Sequence, residues 1–405
     1  MNARLLTFYA GYFAVLFARA SIFAYLPLSL MQYTNASMFA VGLNYAVPYI
    51  AQLTTMVYFG KLLDKGTSSR RYQSLVLLGF SAMAAQFTSF YIMGNGSPDA
   101  VQFVIVSVIC NLLATAYVPA VKKFVSALNT SATQGSALSS IGVVESISFA
   151  AGSFIGGFMF QIVGMNVLFF VATITAASSL AMILIGRPFV LVDGIARERP
   201  PPVIPAGSTS TSPAQPGRHK VFIGFGEIAA FLVALNVSIG LFFPFFSPYM
   251  ESLHGDASLI GISHAAACVL GAIMFKVMGR VLDKNHPHFP FLYGSLGYVV
   301  VFLIFIVTTN PIVAFLSWAI PVYPYFLGIN YIVAIVTPLQ RRGRAFSMVA
   351  IAQIASIAAG SIAGGVLLSM QGISFLVVLV IGMIGLCISL AIFVRAWLSR
   401  KNRKE

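Results

Sequence analysis

Charge is what this chain has least of. Asp, Glu, Lys and Arg make up 8% of its 405 residues and only ten residues are acidic, whereas soluble domains carry about 25% charged residues. With 59% hydrophobic residues and a mean hydropathy of +0.90, so little charge excludes a soluble globular protein. Cysteine is equally scarce. Cys110, Cys268 and Cys387 lie far apart inside apolar runs, so neither a disulfide framework nor a zinc site is expected. There is no nucleotide-binding P-loop and no His-Glu-x-x-His. Ser263-His264 is the nearest approach to a nucleophile–base pair, but adjacent helical residues point about 100° apart. His286 and His288 straddle Pro287 without a third ligand nearby. An intramembrane enzyme therefore finds no support, and no cofactor or metal is expected.

What is present is long apolar sequence. Twelve segments approach the ~20 residues that a bilayer requires: 5–30, 36–60, 72–93, 99–121, 135–160, 166–190, 221–248, 257–280, 289–308, 312–337, 344–369 and 374–397. The first is too long for a cleaved h-region and is expected to stay as a signal-anchor helix. The fold class is an all-α polytopic membrane protein of twelve transmembrane helices. Residues 1–190 form one half and 221–397 the other, with a Pro- and Ser-rich flexible linker at 191–220 and a basic tail at 398–405. The net charge of +14 gathers at segment ends, as lipid topology demands, and signals no nucleic acid. With the N-terminus cytoplasmic, every inner connection holds Lys or Arg. The outer ones hold only Asp99, Glu251 and Asp256. A multi-pass cell-membrane protein with both termini cytoplasmic follows.

The two halves repeat. Gly60-Lys61-Leu62-Leu63-Asp64-Lys65 in the first is answered by Gly279-Arg280-Val281-Leu282-Asp283-Lys284 in the second. The runs 150–157 and 358–365 match as AAGSFIGG and AAGSIAGG, and Ser21-Ile22 before Pro27 matches Ser238-Ile239 before Pro244. Three pairs in one order indicate a duplicated six-helix unit, the parallel-repeat layout with a solute site at the midplane. On these residues the chain resembles the major facilitator superfamily along essentially its whole length. The Gly-x-x-x-Asp-basic element is that family's signature, although here Gly66 comes early and the basic pair Arg70-Arg71 late. The resemblance implies a gating role for Gly60, Asp64, Arg70, Arg71, Gly279 and Asp283. The family's drug–proton antiporters carry Gly-Pro-x-x-Gly-Gly in the fifth helix, where this chain has Ser153 at the proline position. The arginine that many proton antiporters place in the fourth helix has no counterpart around Asn111.

Gly152 and Gly156, and likewise Gly360 and Gly364, share a helix face and are expected to pack closely against another backbone. Four charges fall at membrane depth: Arg19, Glu145, Glu227 and Lys276. A guanidinium there costs at least about 2.5–3.5 kcal/mol and needs protein or water around it. Glu145 lies two turns before Gly152 on the same face and is the nearest partner for Arg19 by depth; the pair is either a fixed brace or a switch that substrate or a proton opens. Glu227 and Lys276 form an ion pair, or Lys276 snorkels to the surface. Pairing Ser21 with Ser238 sets Arg19 opposite Asn236, and pairing the glycine runs sets Glu145 opposite Gln353. Polar residues kept at both positions suit a cavity shared by the halves. Asn111, Tyr323 and Tyr325 are further candidates for its lining. The expected function is secondary transport of a small organic solute, an organic anion in the sharpest form, with protons as a candidate coupling ion at Glu145. A drug or metabolite efflux antiporter stands as an alternative, and a non-transporting membrane sensor or receptor, or an intramembrane enzyme, as the alternative of another class. The bilayer and the solute are the expected partners, and a monomer the expected unit.

Overall fold

Proline decides where several of the long apolar runs break. Its ring removes one backbone donor and displaces the carbonyl four residues earlier. In the computed structural model, which describes residues 3–33, 37–65, 68–96, 99–129, 134–193, 225–284, 289–322, 324–338 and 341–401, the first run is two helices, α1 (Ala3–Phe23) and α2 (Leu26–Tyr33). Pro27 lies in α2, and the carbonyl it frees, that of Phe23, accepts the Tyr45 hydroxyl at 2.7 Å. Next come α3 (Met38–Asp64), whose Ser37 caps the amide of Ala40, and α4 (Ser69–Gly94). Pro119 splits the fourth run into α5 (Ala100–Ala114) and α6 (Tyr117–Ala127). The first half closes with α7 (Gln134–Val163) and α8 (Met165–Gly186).

The second half follows the same plan. Pro244 sits in a 3₁₀ turn, Phe243–Phe245, between α9 (Phe225–Phe242) and α10 (Phe246–Ser252). Then come α11 (Ala257–Asp283), α12 (Phe289–Val307), α13 (Pro311–Trp318), α14 (Tyr325–Val336), α15 (Arg342–Ser369) and α16 (Phe375–Lys401). Pro321 and Pro324 account for the gap before α14. Ten helical segments of the described residues are long and apolar enough to cross a membrane. The expected spans 36–60 and 312–337 fall on α3 and on the α13–α14 pair, which are not among those ten. Residues 194–220 of the expected linker lie outside the described residues, as do Gly66, His286, His288 and Tyr323.

The most extensive packing in the molecule joins the halves, α7 against α11 and α3 against α15. The paired glycines act within each half. A Cβ at Gly152 or Gly156 would run into the α1 backbone at Phe17 and Ser21, and one at Gly360 or Gly364 into the α9 backbone at Val237 and Leu241. These contacts correct the helix pairing read from sequence: Phe17 corresponds to Val237 and Ser21 to Leu241. Arg19 therefore stands opposite Ile239, and Asn236 opposite Leu16. The dipeptide-and-proline match failed because Pro27 follows its helix break and Pro244 sits within one.

Candidate functional site

Between the halves lies a cavity of about 360 Å³, lined from the first half by α1, α6 and α7 and from the second by α11, α14 and α15 and by Phe243. Its polar lining includes Arg19, Lys122, Glu145, His264, Asn330 and Gln353. Three of these were legible as charges or paired positions in apolar runs. Lys122 was not. The apolar run that marks the fourth span ends at 121, which puts Lys122 and Lys123 in a loop, but α6 restarts at Tyr117 with Pro119 in its first turn and carries both inside the bundle.

Arg19 and Glu145 share this cavity without touching; among the described residues no carboxylate lies within 4.0 Å of the guanidinium. Arg19 lies over the Phe23 ring, 5.7 Å from its centroid, and faces the Tyr49 and Tyr117 hydroxyls. Glu145 instead accepts the Tyr12 hydroxyl at 2.5 Å. Tyr12 packs edge-on to Tyr117, with ring centroids 6.2 Å apart. A tyrosine layer thus stands where a direct ion pair was one of the expected arrangements. Lys122 Nζ donates across the halves to Asn330 Oδ1 at 3.2 Å. His264 Nδ1 accepts the Trp318 indole N–H at 3.3 Å, which places the proton of the neutral ring on Nε2. The cavity holds two basic side chains and one carboxylate, in a wall of aromatic and aliphatic groups.

The remaining expected residues lie elsewhere. Asn236 is wholly buried inside the second half, accepting the Tyr325 hydroxyl at 3.0 Å and donating to the Leu232 carbonyl at 2.8 Å. Asn111 accepts from Gln52 Nε2 within the first half and borders a second, smaller cavity. Glu227 is on α9, which packs on α15 and α16, whereas Lys276 is exposed on α11, which packs on α7. The structure does not bring those two together, and snorkelling describes Lys276 better.

The two aspartates close one end of the bundle, the end rich in Lys and Arg. Asp64, from the first half, accepts the amides of Gly343 at 3.1 Å and Arg344 at 2.9 Å, at the N-terminus of α15 in the second half. Asp283, from the second half, accepts the amides of Gly135 at 2.9 Å and Ser136 at 3.1 Å, at the N-terminus of α7 in the first. It also takes the Ser136 hydroxyl. Each carboxylate meets the unpaired donors and positive dipole end of a helix in the opposite half. Gly60 and Gly279 let the helices meet there: a Cβ at either would strike Ser347 or Ser139. One difference breaks the symmetry. Among the described residues, only Asp64 of the two is ion-paired, at 2.8 Å, to Lys123 of its own half, whose ammonium also donates to the Leu63 carbonyl at 3.0 Å. Arg70 is exposed and Arg71 half-buried beyond this clasp. Arg342 adds a link to Ser126 Oγ at 2.6 Å. At the opposite end the Ser247 hydroxyl donates to the Ala24 carbonyl at 2.6 Å, so the halves touch on both sides of the cavity.

The profile of the Major Facilitator Superfamily matches residues 8–334. Among solved structures, the human organic anion transporter MFSD10 (TETRAN) aligns with a TM-score of 0.68 at 14% identity, covering 96% of this chain and 99% of that one. A bacterial homologue of the iron transporter ferroportin, in an outward-facing state, aligns with a TM-score of 0.67 at 12% identity, covering 98% and 100%. No curated protein matches in sequence.

Proposed function

The chain belongs to the major facilitator superfamily of membrane transporters, and we propose that it moves a small organic anion by alternating access around the central cavity. At such low identity the structural neighbours carry the fold and not the substrate. The substrate reading rests on one observation: Arg19 and Lys122 face the cavity against a single carboxylate, Glu145. About 360 Å³ lies at the small end of the ~300–1,000 Å³ typical of small-molecule sites. With aromatic walls, that space suits an amphipathic carboxylate, sulfate ester or phosphate ester.

In this mechanism the anionic group replaces Asn330 at Lys122 and engages the free face of Arg19. Loss of the Lys122–Asn330 bond removes a link between the halves, so binding favours parting of the basic end, which the positive-inside rule assigns to the cytoplasm. The Asp64 and Asp283 clasps then open together. Glu145, held by Tyr12 rather than by a cation, is the group from which a proton would be exchanged. Protons are the proposed coupling ion and the monomer the proposed unit.

A thermal-unfolding screen of the purified chain tests the substrate class, because a ligand bound only by the folded state raises the midpoint. Organic acids are expected to raise it in the wild type and not in Lys122→Gln. Stabilisation by neutral sugars or organic cations, with none by acids, would refute the proposal.

A further inference from the structure

We propose that a second cavity, lined within the first half by α1 to α5, is a binding site for a small inorganic anion such as chloride, held on the side of Arg19 away from the substrate. This cavity measures about 70 Å³. Its polar lining includes Arg19, Asn44, Tyr49, Gln86, Ser107 and Asn111, and among the described residues no Asp or Glu borders it. The inference does not depend on which solute the central cavity carries.

The observation that calls for a ligand is Asn44. Its side chain is buried, with 4% exposure. Neither its Nδ2 nor its Oδ1 has a hydrogen-bond partner. A buried carboxamide left unpaired is disfavoured, so its donors need an occupant. The neighbouring groups decide the sign of that occupant. The acceptor Oδ1 of Asn111 is taken by Gln52, and Asn111 Nδ2 donates to the Ser107 carbonyl at 2.7 Å. The Tyr45 hydroxyl is spent on the Phe23 carbonyl. Gln86 Nε2 donates to Ser107 Oγ at 3.2 Å, which leaves the Ser107 hydroxyl hydrogen free to donate. What remains is chiefly donors, the two Asn44 amide hydrogens, the Ser107 O–H and the Arg19 guanidinium, with Asn44 Oδ1 as an acceptor for an accompanying water. A cation would meet Arg19 with no carboxylate to offset it. An anion is drawn to the guanidinium and the free donors.

Size narrows the class further. The cavity has room for more than one water-sized occupant and about a fifth of the volume of the central one, which suits a small hydrated anion better than an organic acid. Arg19 lines both cavities. A halide behind it lowers the positive charge offered to the central cavity, and by reciprocity an anion bound centrally weakens the halide.

The test uses the purified full-length chain in detergent. Thermal unfolding is followed in sodium chloride, sodium bromide and sodium gluconate at equal ionic strength. Halides are expected to raise the midpoint saturably while gluconate does not, and Asn44→Leu should abolish the difference. Should Asn44→Leu fail to fold, Ser107→Ala with Gln86→Leu is expected to weaken the halide response at least several-fold. Anomalous diffraction from wild-type crystals grown in bromide locates the ion without any variant, with a peak expected between Asn44 and Arg19. Equal midpoints in chloride and gluconate, a halide response that survives Asn44→Leu, or only water at the site would overturn the proposal.

Discussion

Replacing Asp64 by Asn should open the basic end far more than replacing Asp283 by Asn, although the two residues repeat each other in sequence. Both changes remove a charge from a helix N-terminus, an effect of up to about 2 kcal/mol in a partly buried site. Asn also keeps only one of the two oxygens that accept the amides, Gly135 and Ser136 at Asp283 and Gly343 and Arg344 at Asp64, a loss that both variants share and that cancels from their comparison. At Asp64 the change also strands Lys123, whose side chain is 1% exposed, beside the positive end of α15. An uncompensated buried charge costs about 3–5 kcal/mol, and the closed state bears it, whereas an open end admits water. Taken as the whole cost at Asp64, that penalty exceeds the ~2 kcal/mol at Asp283 by about 1–3 kcal/mol, roughly 5- to 150-fold in the closing equilibrium. Spin labels at Lys61→Cys and Met348→Cys, both exposed on the two helices that meet there, report the gap by electron–electron distance in a background without the native cysteines. Asp64→Asn should shift the population to long distances. Asp283→Asn should shift it less, and adding Lys123→Met to Asp64→Asn should bring the distances back to those of Asp283→Asn. Equal shifts for the two aspartates, or a double variant as open as Asp64→Asn alone, would refute the reasoning.

Three further expectations follow from the site and its packing. Glu145→Gln should abolish the response of flux to an imposed pH gradient while exchange of solute for solute continues; a pH response that persists removes Glu145 from coupling. Gly156→Leu should lower the unfolding midpoint, because the side chain meets the Ser21 backbone and overpacking costs about 1–3 kcal/mol or more. Wild-type stability in that variant would mean that α1 and α7 do not touch as described. Lys122→Met should lower affinity for organic acids without altering the labelled gap in their absence by more than the loss of one charged Asn330 bond allows, about 1.5–3 kcal/mol; a wide-open basic end would make Lys122 a brace instead.

The fold was legible because a bilayer leaves few options: apolar length, proline breaks and basic ends each report directly on helices. The aspartates were legible through the repeat, although which helix each would cap was not, since α15 and α7 are far from them in sequence. Arg19, Glu145 and Gln353 stood out as polar groups in apolar runs. Lys122 and Lys123 did not, because lysine at the end of such a run reads as a loop, and only the restart of the helix at Tyr117 carries them inside. Tyr12 is one aromatic among 16 tyrosines and 35 phenylalanines, so nothing in sequence marks it as the partner of Glu145. The pairing of Arg19 with Asn236 failed by one helical turn, an error that contacts reveal and a proline spacing cannot.

The most direct test is flux through the purified chain in proteoliposomes, with a labelled organic acid inside and the same acid unlabelled outside. The account requires saturable exchange in the wild type that is lost in Arg19→Gln, while that variant keeps its folded midpoint. Exchange that persists undiminished in Arg19→Gln, or flux of neutral solutes alone, would contradict an anion site built on Arg19.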